Sequence, residues 1–214
     1  MKSYIFSIEA ICGILIEAYK IGCSLETGGI LIGPKNQNTI ITDSLSSSIY
    51  AERESYTYYQ PERDVEILNR GLRKYQEIGS DFNGYYHKHQ RMCSLSPGDI
   101  KTCIGILSDK NYCINNNLLM CIITETQNNK LPIFLYVASL DNGGNVIIKN
   151  VCFKVFPKEC IAKCSKAKGG SHDENNVSGQ NNEEVKGRGK DRTLWNPERG
   201  NNNNQLHAGE ERTQ

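Results

Sequence analysis

The sequence lacks any uninterrupted apolar run of about 18 residues, the length that a membrane-spanning helix requires, so no membrane span is expected. It also lacks a marked excess of either charge, since 25 lysine and arginine residues stand against 24 aspartate and glutamate residues. The formal net charge of +1 therefore gives no electrostatic argument for binding nucleic acid or an anionic membrane. With 214 residues, the chain is long enough for one domain with a core and an additional segment.

The N-terminus lacks the features of a signal peptide. Residues 1–19 are moderately apolar, but Glu9 and Glu17 interrupt the apolar pattern and no cleavage site of small residues follows. Regular cysteine spacing is lacking too, although nine cysteines are present. Because their number is odd and the chain can form a core without cross-links, we expect free thiols and a reducing, cytoplasmic setting. Four of the cysteines lie in apolar runs and are expected to act as small hydrophobes: Cys12, Cys103, Cys121 and Cys152.

The C-terminal part lacks the apolar periodicity of the rest. Composition changes near Ser165, and residues 166–214 are rich in asparagine, glycine and charged side chains. Such a segment cannot bury enough apolar surface to offset the entropy lost on ordering. We therefore predict a domain over residues 1–165 and a disordered polar tail over 166–214. Within that tail, the adjacent Leu194 and Trp195 are either a docking motif or inert.

Apolar periodicity in the domain predicts helices and strands in the order α-β-β-α-β-α-β-β-β. The predicted helices cover residues 8–21, Pro61 to Gly79, and Ser96 to Leu107, with Ser96 as the N-cap and Pro97 at the first helical position. The predicted strands cover 30–32, 39–45, 82–87, 118–124, 133–139 and 146–155, with a turn at 36–38. This order predicts an α/β (α+β) fold with helices packed on a single mixed β-sheet.

Two of the four histidines, His87 and His89, stand at the end of a predicted strand. Residues i and i+2 of a strand point to the same side, so the two imidazoles converge. Asp99 follows in the first turn of the next predicted helix, where the helix dipole favours a carboxylate. Two imidazoles and a carboxylate suit a catalytic zinc ion that keeps one position for water. The alternatives are a polar strand face and an ordinary helix-start acid.

Hydrolysis also requires a general base and a donor to the developing oxyanion. Glu26 is the candidate base, because it precedes Thr27-Gly28-Gly29 and a buried strand, where a carboxylate is partly desolvated. Ser96, three residues before Asp99, is the candidate oxyanion donor. The alternatives are that Glu26 is a solvated loop acid and that Ser96 only caps the helix.

Together these motifs resemble those of the JAMM (JAB/MPN-type) zinc metallopeptidases. The resemblance rests on three segments within residues 5–156: Glu26-Thr-Gly-Gly-Ile-Leu-Ile-Gly33, His87-Lys-His89 and Ser96-Pro-Gly-Asp99. It implies a cytidine-deaminase-like architecture. It also implies His87, His89 and Asp99 as zinc ligands, Glu26 as general base, and Ser96 as the residue that stabilises the oxyanion.

Members of this family cleave isopeptide or peptide bonds at the C-terminus of ubiquitin-like or sulphur-carrier proteins, and such a protein is the substrate that the resemblance implies. The segment Gly84 to His89 is most similar to that of stand-alone bacterial members. The sequence departs from the family pattern at two points. Gln90 stands where the family usually has proline, and the segment Gln90 to Leu95 before Ser96 is one residue shorter than usual.

Two other functions fit the sequence. A non-catalytic scaffold of the same fold would hold protein partners, but scaffolds of this kind typically lose the metal ligands. A metal hydrolase acting on a small molecule would have a closed pocket over the metal. Specificity depends on the loops around the site, and the tyrosine-rich segment Tyr50 to Gln60 either lines the substrate groove or is a plain connection.

Overall fold

The computed structural model describes residues 3–22, 24–109, 112, 114, 117–125 and 130–162. Its helices are α1 (Ile8–Lys20), α2 (Glu62–Glu77) and α3 (Pro97–Ser108). Its strands are β1 (Tyr4–Ser7), β2 (Thr27–Pro34), β3 (Ile40–Ile41), β4 (Asp43–Ser46), β5 (Glu52–Arg53), β6 (Tyr58–Tyr59), β7 (Ser80–His89), β8 (Asn117–Thr124), β9 (Ile133–Leu140), β10 (Val146–Val151) and β11 (Phe153–Phe156). The predicted tail over 166–214, including Leu194 and Trp195, lies outside the described residues.

A six-stranded mixed sheet forms the centre, in the order β10-β9-β8-β7-β2-β4. The neighbours β7 and β8 are parallel, and the other pairs of this sheet are antiparallel. The α/β (α+β) fold class is confirmed. The central sheet is accompanied by a three-stranded parallel sheet in the order β11-β1-β3 and by the β5–β6 hairpin.

Helices cover both faces of the central sheet, as the strand alternation of β2 requires. Ile30 and Ile32 belong to one apolar cluster, with residues of α2 and α3, whereas Leu31 belongs to a second cluster, with residues of α1. The helix residues of the first cluster are Val65, Leu68, Leu72, Cys103 and Ile106. Those of the second are Ala10, Ile14 and Ala18.

Among the described residues, no helix is long and apolar enough to cross a membrane.

The helix boundaries agree with the sequence prediction to within a few residues, because local capping determines them. Ser7 and Ser96 are the N-caps of α1 and α3, and their side chains accept hydrogen bonds from main-chain N–H groups. Pro61 occupies the N-cap of α2 rather than its first turn. Gly79, with a φ of 82°, follows the end of α2, where an L-residue would be strained.

The strand prediction misses β1, β5 and β6, because strands of two to four residues carry too little alternation to be recognised. It also joins segments that the structure separates. The predicted strand 39–45 breaks at Thr42, so that β3 pairs with β1 while β4 pairs with β2. The predicted strand 146–155 breaks at Cys152, between a strand of the central sheet and a strand of the smaller one.

The expected burial of the cysteines is correct for Cys103 and Cys121 and wrong for Cys12 and Cys152, which are exposed. Cys12 lies on the face of α1 that points away from the sheet, and Cys152 occupies the break between β10 and β11. Six cysteines among the described residues are free.

Thiol chemistry should therefore separate the cysteines into two classes. Burial raises the pKa of both the Cys103 and the Cys121 thiol to about 12, so at pH 8 these groups are protonated as well as inaccessible. We expect iodoacetamide to alkylate Cys12 and Cys152 in the native protein and to leave Cys103 and Cys121 unmodified until the protein is unfolded. Mass spectrometry of tryptic peptides checks this, and rapid labelling of Cys121 in the native state would contradict the described core.

A close approach of two backbones accounts for Gly84 in the middle of β7. A Cβ atom at this position would lie 2.0 Å from the carbonyl oxygen of Leu119 on β8, which is far inside van der Waals contact. The parallel pairing of β8 with β7, the strand that ends at the histidines, therefore requires glycine here.

We expect Gly84→Ala to lower the free energy of unfolding by about 1–3 kcal/mol, because the two strands must separate to admit the methyl group. Gly98→Ala is the matched control, since its Cβ would meet Ser96 Oγ at an ordinary 3.5 Å. Urea unfolding monitored by circular dichroism measures both. Equal stability of the two variants would show that β7 and β8 are not this close.

Candidate metal centre

Strand alternation on β7 brings the two histidines to one face. Tyr85 lies in the apolar cluster beneath α2 and α3, and His87 and His89 follow at i+2 and i+4 on the same face. Strand β2 pairs with β7 so that Gly28 lies opposite His87. Glu26, immediately before β2, therefore lies at the strand end that carries the histidines.

The start of α3 brings Asp99 to the same place. Tyr85 Oη donates a hydrogen bond to the main-chain carbonyl of Asp99 at 2.9 Å, which ties the first turn of α3 to β7. The Asp99 side chain is buried, with 5% of its surface exposed. The short segment Gln90 to Leu95 thus does bring Asp99 to the histidines.

Four of the five predicted site residues form a cluster of direct contacts: Glu26, His87, His89 and Asp99. Asp99 Oδ1 lies 2.9 Å from His87 Nδ1, and Asp99 Oδ2 lies 3.1 Å from His89 Nε2. Glu26 Oε2 lies 3.2 Å from His87 Nε2, an ion-pair distance without the direction of a hydrogen bond. The His87 imidazole therefore lies between the Glu26 and Asp99 carboxylates. The Asp99 carboxylate contacts both imidazoles.

Burial and charge act in opposite directions on these groups. Burial lowers the pKa of His87, but contact with the Asp99 and Glu26 carboxylates outweighs it and raises the pKa to about 9. Burial likewise raises the pKa of Asp99, yet contacts with His87 and His89 hold it well below its usual range. The two carboxylates therefore favour a positive charge between them, which is what a site for a cation requires.

The residues fit a metal ion. His87 Nε2 and His89 Nδ1 are buried nitrogens without a hydrogen-bond partner, which is costly unless another group satisfies them. Ligand atoms of Glu26, His87 and His89 all lie within 4.8 Å of one another. This close group includes Glu26 in place of the predicted ligand Asp99, which contacts both histidines instead. Two imidazoles with carboxylate oxygens form a donor set that zinc accepts.

Ser96 acts on Asp99 in this conformation. Its hydroxyl donates to Asp99 Oδ2 at 2.6 Å, and its main-chain N–H donates to the same oxygen at 2.7 Å. In return, Ser96 Oγ accepts from the Asp99 N–H at 3.1 Å, which completes a reciprocal capping box. The capping alternative is therefore the one observed, and the oxyanion role stays a prediction that requires the hydroxyl to leave Asp99.

A pocket of about 590 Å³ opens over the cluster. The segment Tyr50 to Gln60 lines this pocket through Tyr56 to Gln60, so this part of the segment is more than a plain connection. The ring of Tyr58 lies beside that of His87, with 5.4 Å between centroids. A buried polar chain holds this tyrosine in place: Tyr58 Oη bonds to Ser47 Oγ, and Gln60 donates to both Ser47 Oγ and Asp64 Oδ2.

Arg53 connects the loop to the rest of the fold. Its Nε donates to Thr27 Oγ1 at 3.1 Å, and one terminal nitrogen donates to Glu17 Oε1 at 3.1 Å. The guanidinium also donates to the main-chain carbonyls of Ser47, Ser48 and Ala51. These five bonds use all five N–H donors of arginine. Lysine has only three donors and could not form them all.

Sequence reasoning missed Arg53, Tyr58 and Tyr85 as residues of the site. The strand alternation that places His87 and His89 on one face also places Tyr85 there, so Tyr85 could have been predicted from the sequence. Arg53 and Tyr58 belong to two-residue strands, and no local pattern in the sequence marks them.

No family model matches the chain, and no curated protein matches its sequence. A protein of Desulfitobacterium hafniense, solved in solution as a Northeast Structural Genomics Consortium target, is similar in structure, with 13% sequence identity and a TM-score of 0.48. The match covers 72% of this chain and 93% of that one. At this identity and TM-score, the similarity carries no information about the site.

Replacing Asp99 tests the cluster. We expect Asp99→Asn to weaken zinc binding by about 10–100-fold, since the carboxylate both orients the two imidazoles and compensates the charge of the ion. Asp43→Asn is the matched control, because Asp43 pairs with Lys158 at 2.7 Å, away from the histidines. Competition with a chromophoric zinc chelator measures both affinities. Equal affinity of the two variants would exclude Asp99 from the metal site.

Proposed function

We propose that this protein is a zinc-dependent isopeptidase or peptidase of the JAMM (JAB/MPN) type, which hydrolyses an amide bond at the C-terminus of a ubiquitin-like or sulphur-carrier-like protein. One observation carries the proposal: Glu26, His87, His89 and Asp99 come from three separate segments and meet in one buried cluster beside a pocket. Free cysteines agree with a cytoplasmic setting.

The proposed roles come from the family resemblance. His87, His89 and Asp99 would hold the zinc ion, as the sequence motif implies. When bound, zinc supplies a Lewis acid that polarises a carbonyl and lowers the pKa of water to about 7. Glu26, with a carboxylate oxygen 3.2 Å from His87 Nε2, is placed at the same point. Its burial suits a group that exchanges protons with a reacting water.

The proton path needs one carboxylate. Glu26 accepts a proton from the attacking water while the water oxygen bonds to the carbonyl carbon. The carbon–nitrogen bond then breaks, and Glu26 returns the proton to the departing amine, which leaves as a neutral group. Glu26 begins and ends the cycle as a carboxylate, so no further base is needed.

The form of the pocket favours a chain segment over an enclosed small molecule. Its rim carries exposed side chains, among them Tyr56 at 77% and Met92 at 41% exposure, so the pocket opens to the surface. An extended peptide tail can enter such a cleft while its parent domain stays outside. Tyr58 lies over Gly28 beside His87 and narrows the cleft at the reacting position.

The decisive variant is Glu26→Gln. We expect the wild-type protein to carry about one zinc ion and to cleave fusions of ubiquitin-like or sulphur-carrier proteins to a reporter. Glu26→Gln should retain the zinc and lose about 10²–10⁴-fold in turnover, because an amide cannot carry the proton. Gel and mass analysis of the products, with metal analysis of each protein, measures both.

Glu52→Gln is the matched control, since Glu52 is exposed on the neighbouring hairpin and should behave as wild type. A wild-type protein with stoichiometric zinc that cleaves none of these fusions would contradict the peptidase proposal. Equal turnover of Glu26→Gln and Glu52→Gln would remove Glu26 from the mechanism.

A further inference from the structure

Lys88 lies between the two histidines on β7 and points to the opposite face of the sheet. Its side chain is almost fully buried, at 1% exposure. The ammonium donates to the carbonyl of Ala18 at 3.1 Å and to the carbonyl of Gly22. These groups belong to the C-terminal end of α1, where carbonyls lack helical partners and carry partial negative charge. Such a site compensates a buried cation well.

Gln90 makes an equivalent contact one residue beyond His89. Its side-chain amide donates to the main-chain carbonyl of Ser24. The family that the sequence resembles usually has proline at this position. Proline has no side-chain donor and could not form this bond. Lys88 and Gln90 therefore flank His89 and both bind main-chain carbonyls of the connection between α1 and β2.

That connection carries Glu26. Ser24 stands two residues before Glu26, and the Glu26 N–H donates to the carbonyl of Glu54 at 2.8 Å. On its far side, Thr27 lies opposite Lys88 in the β2–β7 pairing. The Glu26 backbone is thus held to the histidine strand both before and after the carboxylate.

We propose that Lys88 and Gln90 are positioning residues, a clamp that holds the end of β7, and with it His87 and His89, against the backbone of the segment that carries Glu26. The clamp rests on the proposed function, because it serves the metal centre. The hydrogen bonds of both side chains described above end on main-chain carbonyls, so both residues act through the backbone that they hold. The clamp also assigns a role to Gln90, where the chain departs from the family pattern.

Two variants that remove the donors at nearly constant length test the clamp: Lys88→Met and Gln90→Met. We expect Lys88→Met to weaken zinc binding by about 10–100-fold, because the end of β7, which orients the His87 and His89 imidazoles, is then held less firmly. Gln90→Met should have a smaller effect, since its amide lies near the surface. We also expect both variants to change the visible absorption of the cobalt-substituted protein, which reports the geometry of the ligands rather than stability.

Matched controls remove comparable groups elsewhere. Lys20→Met deletes an exposed cation in the last turn of α1, and Gln76→Met deletes the bond from Gln76 to Asp81 at 2.9 Å. Both should keep wild-type zinc affinity and the wild-type cobalt spectrum. Thermal unfolding of each protein verifies that it is folded before metal is added.

The outcomes separate this inference from the proposed function. A folded wild-type protein that binds neither zinc nor cobalt would overturn the proposed function, and the clamp with it. A wild-type protein that binds metal, with Lys88→Met and Gln90→Met unchanged in affinity and spectrum, would overturn the clamp alone. If Lys88→Met does not fold, Gln90→Met decides: a wild-type affinity and spectrum would overturn the clamp, and weaker binding with a changed spectrum would support it.

Discussion

The structure depends on a buried accumulation of negative charge. Glu26 and Asp99 are both buried, and water cannot solvate them, so their charges require compensation from within the protein. A protonated His87 between them compensates one of the two charges. A divalent ion would compensate both and leave the imidazoles neutral, as ligands must be. The end of β7, the start of α3 and the start of β2 are arranged around this requirement.

The parts of the site that local rules govern could be predicted from the sequence. The convergence of His87 and His89 follows from the strand period of two, and the position of Asp99 follows from the capping geometry that Ser96 begins. The fold class followed from the alternation of helical and strand patterns. Glu26 is different, because its place depends on the long-range pairing of β2 with β7. Its position before a buried strand made it only a candidate base, with a solvated loop acid as the alternative, and the family resemblance added the specific role.

The parts that were missed depend on contacts without a local signal. Arg53 satisfies its donors with groups from α1, β2 and a loop, and no spacing in the sequence relates these groups. The series of hydrogen bonds that joins Tyr58 to Asp64 through Ser47 and Gln60 is likewise a tertiary feature. Such buried polar networks stabilise one conformation only when every member is bonded, which gives the tyrosine loop a defined place over the site.

The parallel pairing of β7 with β8 has a consequence for the order of assembly during synthesis. Strand β7 lies between β2, which is made before it, and β8, which is made after α3. All four residues of the cluster have left the ribosome once α3 has begun, but β7 still has one open edge at that stage. The histidine strand acquires its second neighbour only when Leu119 to Thr124 have emerged. A nascent chain therefore contains all four residues of the cluster before it contains the sheet that holds them in place, and the arrangement of the cluster is fixed only in the nearly complete domain.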